Sequence, residues 1–129
     1  MTKAERTREL IIAKAAPLFN KKGYAGTSMN DIMQATGLAK GGLYGNFESK
    51  DEIAALAFEY SYNQLKQDIG SRVKAKKTAV EKLLTILQYY KNYTIEPPIE
   101  GGCPLMNTAI DADDAMVITR LHAVRSQQP

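Results

Sequence analysis

Apolar residues recur at helical spacing in one stretch after another of this chain, which predicts an all-α protein. A first helix is expected over residues 3–22, where Leu10, Ile11, Ala15, Leu18 and Phe19 make one apolar stripe. Thr2 and Glu5 have the spacing of a capping box, and Gly23 is placed to stop the helix. Pro17 removes one backbone hydrogen bond, so a bend is expected near Ala13. Tyr24, Ala25 and Gly26 connect to a pair of short helices over residues 27–47. Ser28 can cap the first of these, with Asp31 three residues on, and Ile32, Met33 and Ala35 give it a small apolar face. Gly37 permits the left-handed backbone that ends that helix, and a second begins near Ala39. Phe47, apolar between polar neighbours, is expected to plug the core between the small helices.

The remainder reads as longer elements. Ser49 to Glu52 has the pattern of another capping box, and a long helix follows with Ile53, Leu56, Ala57, Tyr60, Leu65 and Ile69 on its buried side. It should end near Gly70, leaving residues 71–78, basic and polar, as a loop. The next helix is expected over residues 79–94. Its apolar side carries Val80, Leu83, Leu84, Leu87 and Tyr90, widened by Ile86, Tyr89 and Tyr93, a width that argues for burial on more than one side. Residues 96–102, with two prolines and two glycines, break regular structure. A helix then starts near Met106, and a last one holds Met116, Val117, Leu121 and Val124.

Two helices joined by a short glycine-containing turn match the helix-turn-helix, whose second helix enters the DNA major groove. The charge distribution agrees with that placement. Residues 1–50 hold eight Lys/Arg against four Asp/Glu, residues 51–95 seven against five, and residues 96–129 two against five. The basic end is therefore the end that carries the motif, as a surface meeting phosphates requires.

At this level of detail residues 27–47 resemble the DNA-binding region of the TetR family of bacterial transcriptional repressors. The resemblance is carried by Phe19, Gly23, Tyr24, Thr27, Asp31, Ile32, Gly37, Lys40, Gly41, Leu43, Tyr44, Phe47 and Lys50, and it covers roughly residues 5–60. It implies a three-helix DNA-binding head, residues 1–47, followed by a helical ligand-binding and dimerisation body, residues 48–129, here only partial. The run Gly102-Cys103-Pro104-Leu105-Met106-Asn107 also resembles a segment of the family's ligand domain. Two departures stand out: Ala39 where the family often has a capping serine, and Gly45-Asn46 in place of a bulkier pair.

The expected function is sequence-specific DNA binding, most often repression, released by a small organic effector. Thr27, Tyr44 and Lys50 carry groups that reach phosphate oxygens, with Ser28 beside them. Base readout falls to Lys40, to Asn46 and to the exposed face of Gly41 and Gly42, with Asn30 and Gln34 as secondary candidates. Gly41 and Gly42 leave no side chains there, which lets the helix sink close to the groove floor. Tyr60, Leu87, Tyr90, Tyr93, Cys103 and Met106 form a candidate ligand wall, apolar and aromatic with a few hydroxyls. The partners expected are a palindromic duplex operator and a second copy of the chain. Family members continue for roughly half as many residues again beyond the point matching Pro129, and their final helices make the dimer. A homodimer built instead through the helices over residues 53–69 and 79–94 is therefore the expectation.

Other classes find little support. The single histidine, His122, has no second ligand or nucleophile near it, and Asp111, Asp113 and Asp114 lack the glycine and closing glutamate of a calcium loop. A solvated turn or helix start is the expectation for those aspartates. No enzyme, cofactor or metal site is expected. One cysteine, Cys103, excludes an internal disulfide framework, and the absence of a signal-peptide core or a membrane-length apolar run points to a cytoplasmic protein. The rival reading is a helical protein-interaction adaptor that keeps the fold without reading DNA.

Overall fold

The computed structural model describes residues 1–114, the side chains of 112–114 excepted. Six α-helices make up that region: α1 Lys3–Gly26, α2 Met29–Thr36, α3 Lys40–Tyr44, α4 Lys50–Lys74, α5 Ala79–Asn92 and α6 Pro104–Asp114. Among the described residues there is no strand. The expected final helix and His122 lie outside them.

Helix starts follow local chemistry closely. Thr2 and Ser28 each accept from the amide three residues on, and Glu5 and Asp31 reach back to the cap amides. Thr78 and Glu81 do the same for α5, a third capping box not foreseen from the sequence. Ser49 makes only half of its expected box. Its hydroxyl accepts from Glu52 N–H at 3.2 Å, while the Glu52 carboxylate accepts from Glu48 N–H at 2.7 Å. Pro104 opens α6, where its missing N–H would have had no helical partner.

The interruption in α1 lies at Gly23, not near Ala13. Pro17 sits inside the helix, and the residue with non-helical dihedrals is Gly23, at φ 75° and ψ 175°. That is a backbone state that residues with a side chain rarely adopt. Gly37 is likewise left-handed, at φ 72°, and closes α2 with its N–H on the Met33 carbonyl. The basic stretch after Gly70 is not all loop: α4 continues to Lys74. Arg72 pairs with Asp68 one turn back at 3.5 Å, and Arg72 and Lys74 lie where the helix C-terminus favours cations.

Three apolar clusters hold the chain. The first joins α1, α2, α3 and the start of α4 through Ile11, Ala15, Ile32, Leu43, Phe47 and Ile53. Phe47 is the core plug expected. The second packs Ala16 and Ala57 against Ile99, with Phe19 and Tyr60 at its edge. The third sets Leu65 of α4 against Tyr89 and Tyr93. Buried positions of α4 include Ala54, Ala55, Phe58 and Ser61, whereas Leu56, Tyr60 and Ile69 are only half-buried.

The apolar side of α5 departs most from expectation. Val80, Leu83, Leu84 and Leu87 are between 58% and 67% exposed. Burial on more than one side does not occur among the described residues: residues 79–84 are exposed, and α5 packs on α4 through Tyr89 with Thr85 and Ile86 half-buried.

Candidate nucleic-acid interface

The helix-turn-helix stands on the first apolar cluster. Ile32 anchors α2 and Leu43 anchors α3, both fully buried, so the opposite faces of both helices point outward. Lys40, Gly41, Gly42 and Tyr44 are exposed on α3, with Tyr44 44% accessible. The Lys40 ammonium lies 6.0 Å from the Tyr44 ring centre. A Cβ added at Gly41 would meet nothing within 4 Å, and one at Gly42 would touch Leu38 at 3.7 Å, an ordinary contact. The fold itself therefore accepts a side chain at both positions. Ala39 supplies no side-chain cap, as its lack of a hydroxyl dictates.

Two candidate contacts are hydrogen-bonded to the protein's own backbone instead. Thr27 is fully buried, and its hydroxyl donates to the Gly23 carbonyl at 2.8 Å and the Leu18 carbonyl at 3.2 Å. Its side chain closes the end of α1 and does not reach the surface. The Asn46 amide nitrogen donates to the Gly42 carbonyl at 2.7 Å, which satisfies a C-terminal carbonyl of α3. That bond uses one N–H of the amide, and the side chain stays partly exposed.

Ser28 is exposed at the N-terminus of α2, and Lys50 is half-buried at the start of α4. The Lys50 ammonium sits 4.0 Å over the Tyr24 ring. Burial lowers its pKa, and the nearby Asp51 and Asp31 carboxylates oppose that shift. The Tyr24 hydroxyl donates to Asp51, and burial with that hydrogen bond pushes its pKa up to about 12.

Arg8 belongs to this arrangement although its pattern in the sequence gave no sign of it. Its guanidinium lies 4.3 Å over the Phe47 ring, donates to the Asn46 carbonyl, and pairs with Glu52 at 3.4 Å. It thereby fastens α1 to the turn after α3 and to the first turn of α4.

Of the ligand wall expected in the body, Tyr90 and Tyr93 stack with ring centres 5.7 Å apart and Cys103 packs in the same cluster as Tyr93, while the rest is dispersed. Tyr93 is buried, donating to the Gly102 carbonyl at 3.1 Å, and packs in the third cluster near Cys103. Tyr60 belongs to the second cluster, while Leu87, Tyr90 and Met106 face outward. A cavity of about 20 Å3, room for about one water, lies elsewhere, between α1, α4 and α6. Ser61, Thr108 and Asp111 supply polar groups to it. Asp111 is not in a solvated turn: it lies on α6, and its carboxylate accepts from Tyr24 N–H at 3.0 Å. Among the described residues, no group of three or more His, Cys, Asp or Glu could hold a metal ion.

An all-helical chain with a helix-turn-helix on one closed core and a long helix leading to a second helical region defines a class of regulator architecture. Known proteins make the class specific. Residues 11–57 match the family model described as bacterial regulatory proteins, tetR family, and residues 79–128 match the tetracyclin repressor-like C-terminal domain. A TetR transcriptional regulator from Chloroflexus aurantiacus superposes with a TM-score of 0.89 at 41% identity, over 98% of this chain and 64% of that one. An uncharacterised HTH-type transcriptional regulator of Lactococcus lactis is 32% identical over 107 residues, covering 81% of this chain and 54% of its own length. The HTH-type transcriptional repressor DhaR of Mycobacterium sp. (strain GP1) is 26% identical over 118 residues, 92% of this chain and 58% of its own length. The chain belongs to the TetR family. It spans a little over half the length of these two curated relatives.

Proposed function

We propose that this chain is a sequence-specific DNA-binding transcriptional regulator, a repressor released by a small organic effector, and that it acts as a homodimer in the cytoplasm. The head is residues 1–47 and the body residues 48–129. The observation that carries the reading is the exposed edge of α3, Lys40, Gly41, Gly42 and Tyr44, held outward by a buried Leu43. Two glycines that the internal packing does not require leave that edge bare, as close approach to a groove floor demands. Ser28, Tyr44 and Lys50 hold phosphates, and Lys40 reads a base edge. The relative DhaR, a repressor by name, supports the sign of the regulation.

Half-site geometry and the bare side of α5 support dimerisation. One head covers a single half-site, and two half-sites roughly 34–36 Å apart need two heads held at that spacing. The exposed Val80, Leu83, Leu84 and Leu87 offer an apolar surface for such a contact.

Selection of bound sequences from a random duplex pool, with a salt titration beside it, tests the reading. The expected result is a palindromic consensus. Lys50→Ala should flatten the salt dependence by about one unit of slope, and Lys40→Ala should change preference at particular base positions. Tyr44→Phe should weaken binding to all sequences alike. A parent chain with no duplex affinity above the nonspecific level overturns it and favours a protein-binding adaptor.

A further inference from the structure

The break in α1 separates two backbone groups that an unbroken helix would pair, the Tyr24 N–H and the Asn20 carbonyl. Gly23, at φ 75° and ψ 175°, lies between them. Side chains of α6 meet both. Asn107 Nδ2 shares its two N–H groups among the Gly101 carbonyl at 2.8 Å, Asn20 Oδ1 at 3.0 Å and the Asn20 carbonyl at 3.1 Å, and Asp111 Oδ2 accepts from Tyr24 N–H at 3.0 Å. Asn107 and Asp111 are four residues apart, on one face of α6, so they carry the same one-turn spacing as the groups they serve. The Asp111 carboxylate also fills the room that Gly23 leaves, with Oδ1 3.1 Å from where a Cβ would stand.

What lies beyond the break is the DNA-facing machinery. The Tyr24 hydroxyl donates to Asp51, and its ring lies under the Lys50 ammonium. The Tyr24 carbonyl accepts from Thr27 N–H at 3.3 Å, and the Gly23 carbonyl from the Thr27 hydroxyl at 2.8 Å. The residue preceding the cap of α2 is therefore set by the same two residues.

We propose that Asn107 and Asp111 are positioning residues of the DNA-binding face: α6 splices the broken α1 and thereby fixes Tyr24, Lys50 and the entry to α2. This rests on residues 27–50 being the DNA surface. Withdrawal of α6 leaves the Tyr24 N–H and Asn20 carbonyl to water or to each other. Pairing with each other requires Gly23 to turn right-handed, which redirects the chain entering Thr27. Glycine occupies both states at little cost, so the local backbone alone does not hold the junction and the α6 side chains do.

The test uses the full chain and its Asp111→Ala, Asp111→Asn and Asn107→Ala variants, with helix content followed by circular dichroism. Amide exchange at Tyr24 and Thr27 and affinity for a selected duplex are read together. Asp111→Ala should speed exchange at Tyr24 and weaken duplex binding by about tenfold, the factor one lost hydrogen bond to a buried donor carries. Asp111→Asn keeps an acceptor oxygen and should restore both to within about twofold of the parent. Asn107→Ala should act as Asp111→Ala does. Unchanged exchange in Asp111→Ala, unchanged duplex affinity in it, or an Asn variant no better than the Ala variant overturns the proposal. If Asp111→Ala fails to fold, Asn107→Ala with normal exchange and affinity overturns it equally. A parent chain that binds no duplex removes the DNA reading itself, and the positioning role falls with it.

Discussion

The head and α5 use similar numbers of apolar residues to opposite ends. In the head and the first turn of α4, Ile11, Ile32, Leu43, Phe47 and Ile53 converge from four helices and the turn after α3 and are almost wholly removed from water. On α5, Val80, Leu83, Leu84 and Leu87 share a helical face that stays open. The difference lies in connectivity. Short turns after α2 and α3 fold those helices back on α1, so each apolar residue finds a partner within the same fifty or so residues. Helix α5 returns along α4 and covers only its tyrosine side, where Tyr89 donates to Asp68 at 2.9 Å and Arg72 sits 5.0 Å over the ring. The head is closed by its own sequence, and α5 is a face that needs another surface.

The sharpest way to break that comparison is to truncate one residue on each side. Phe47→Ala should lower stability by about 3–5 kcal/mol in denaturant melts, since it leaves a cavity and removes the ring under Arg8. Leu87→Ala should change the stability of the single chain, melted at a concentration where no dimer forms, by no more than about 0.5 kcal/mol, and should weaken self-association instead. A large loss at Leu87 under those conditions would mean that the chain covers the face itself. Ser28→Ala comes next in size, at about 1 kcal/mol, through the lost cap of α2. Gly41→Ala reverses the sign: it should raise stability by up to about 1 kcal/mol because nothing obstructs the methyl, while duplex affinity falls. Equal DNA binding in that variant would show that the bare edge of α3 does not serve close approach to the groove.

The smallest effect is a pH dependence. The Asp31 carboxylate accepts from Ser28 N–H, which with the Ser28 hydroxyl holds its pKa below the ordinary value. A depressed folded-state value means that the contribution is present above the unfolded carboxylate pKa of about 3.9 and is lost as pH falls through the folded one. Acid titration of the melting temperature should therefore show a shallower low-pH decline in Asp31→Asn than in the parent.

Local chemistry was readable from the chain because its determinants lie within four residues of one another. Ser28 with Asp31, Thr2 with Glu5, the left-handed Gly37 and the apolar spacing of α2 are all of that kind. Phe47 was readable too, as an apolar residue isolated in a polar turn. The ties between distant segments left no periodic trace. Arg8 meets Asn46 across 38 residues, Asn20 meets Gly102 across 82, and Tyr24 meets Asp111 across 87. Nothing about a single polar residue on a helix announces a partner so far along the chain. Thr27 and Asn46 are different: their side-chain chemistry suits DNA, yet each finds a backbone carbonyl four residues back, Gly23 and Gly42, that the spacing alone did not single out. The width of the α5 stripe predicted burial on more than one side, and the described residues leave Val80, Leu83, Leu84 and Leu87 exposed.

Gly101 has a consequence of a different sort. A Cβ at that position would stand 2.7 Å from both the Asn20 carbonyl carbon and the Lys21 nitrogen. The loop before α6 thus lies on α1 main chain to main chain, with a spacer of no thickness between them. One added carbon is a wedge between two backbones that cannot compress. It must lift the loop, and with it the Glu100 and Gly102 carbonyls that hold Asn20 at 2.7 and 2.9 Å. The distance between the body and the first helix is therefore set by a missing atom, and every other amino acid at position 101 lengthens it.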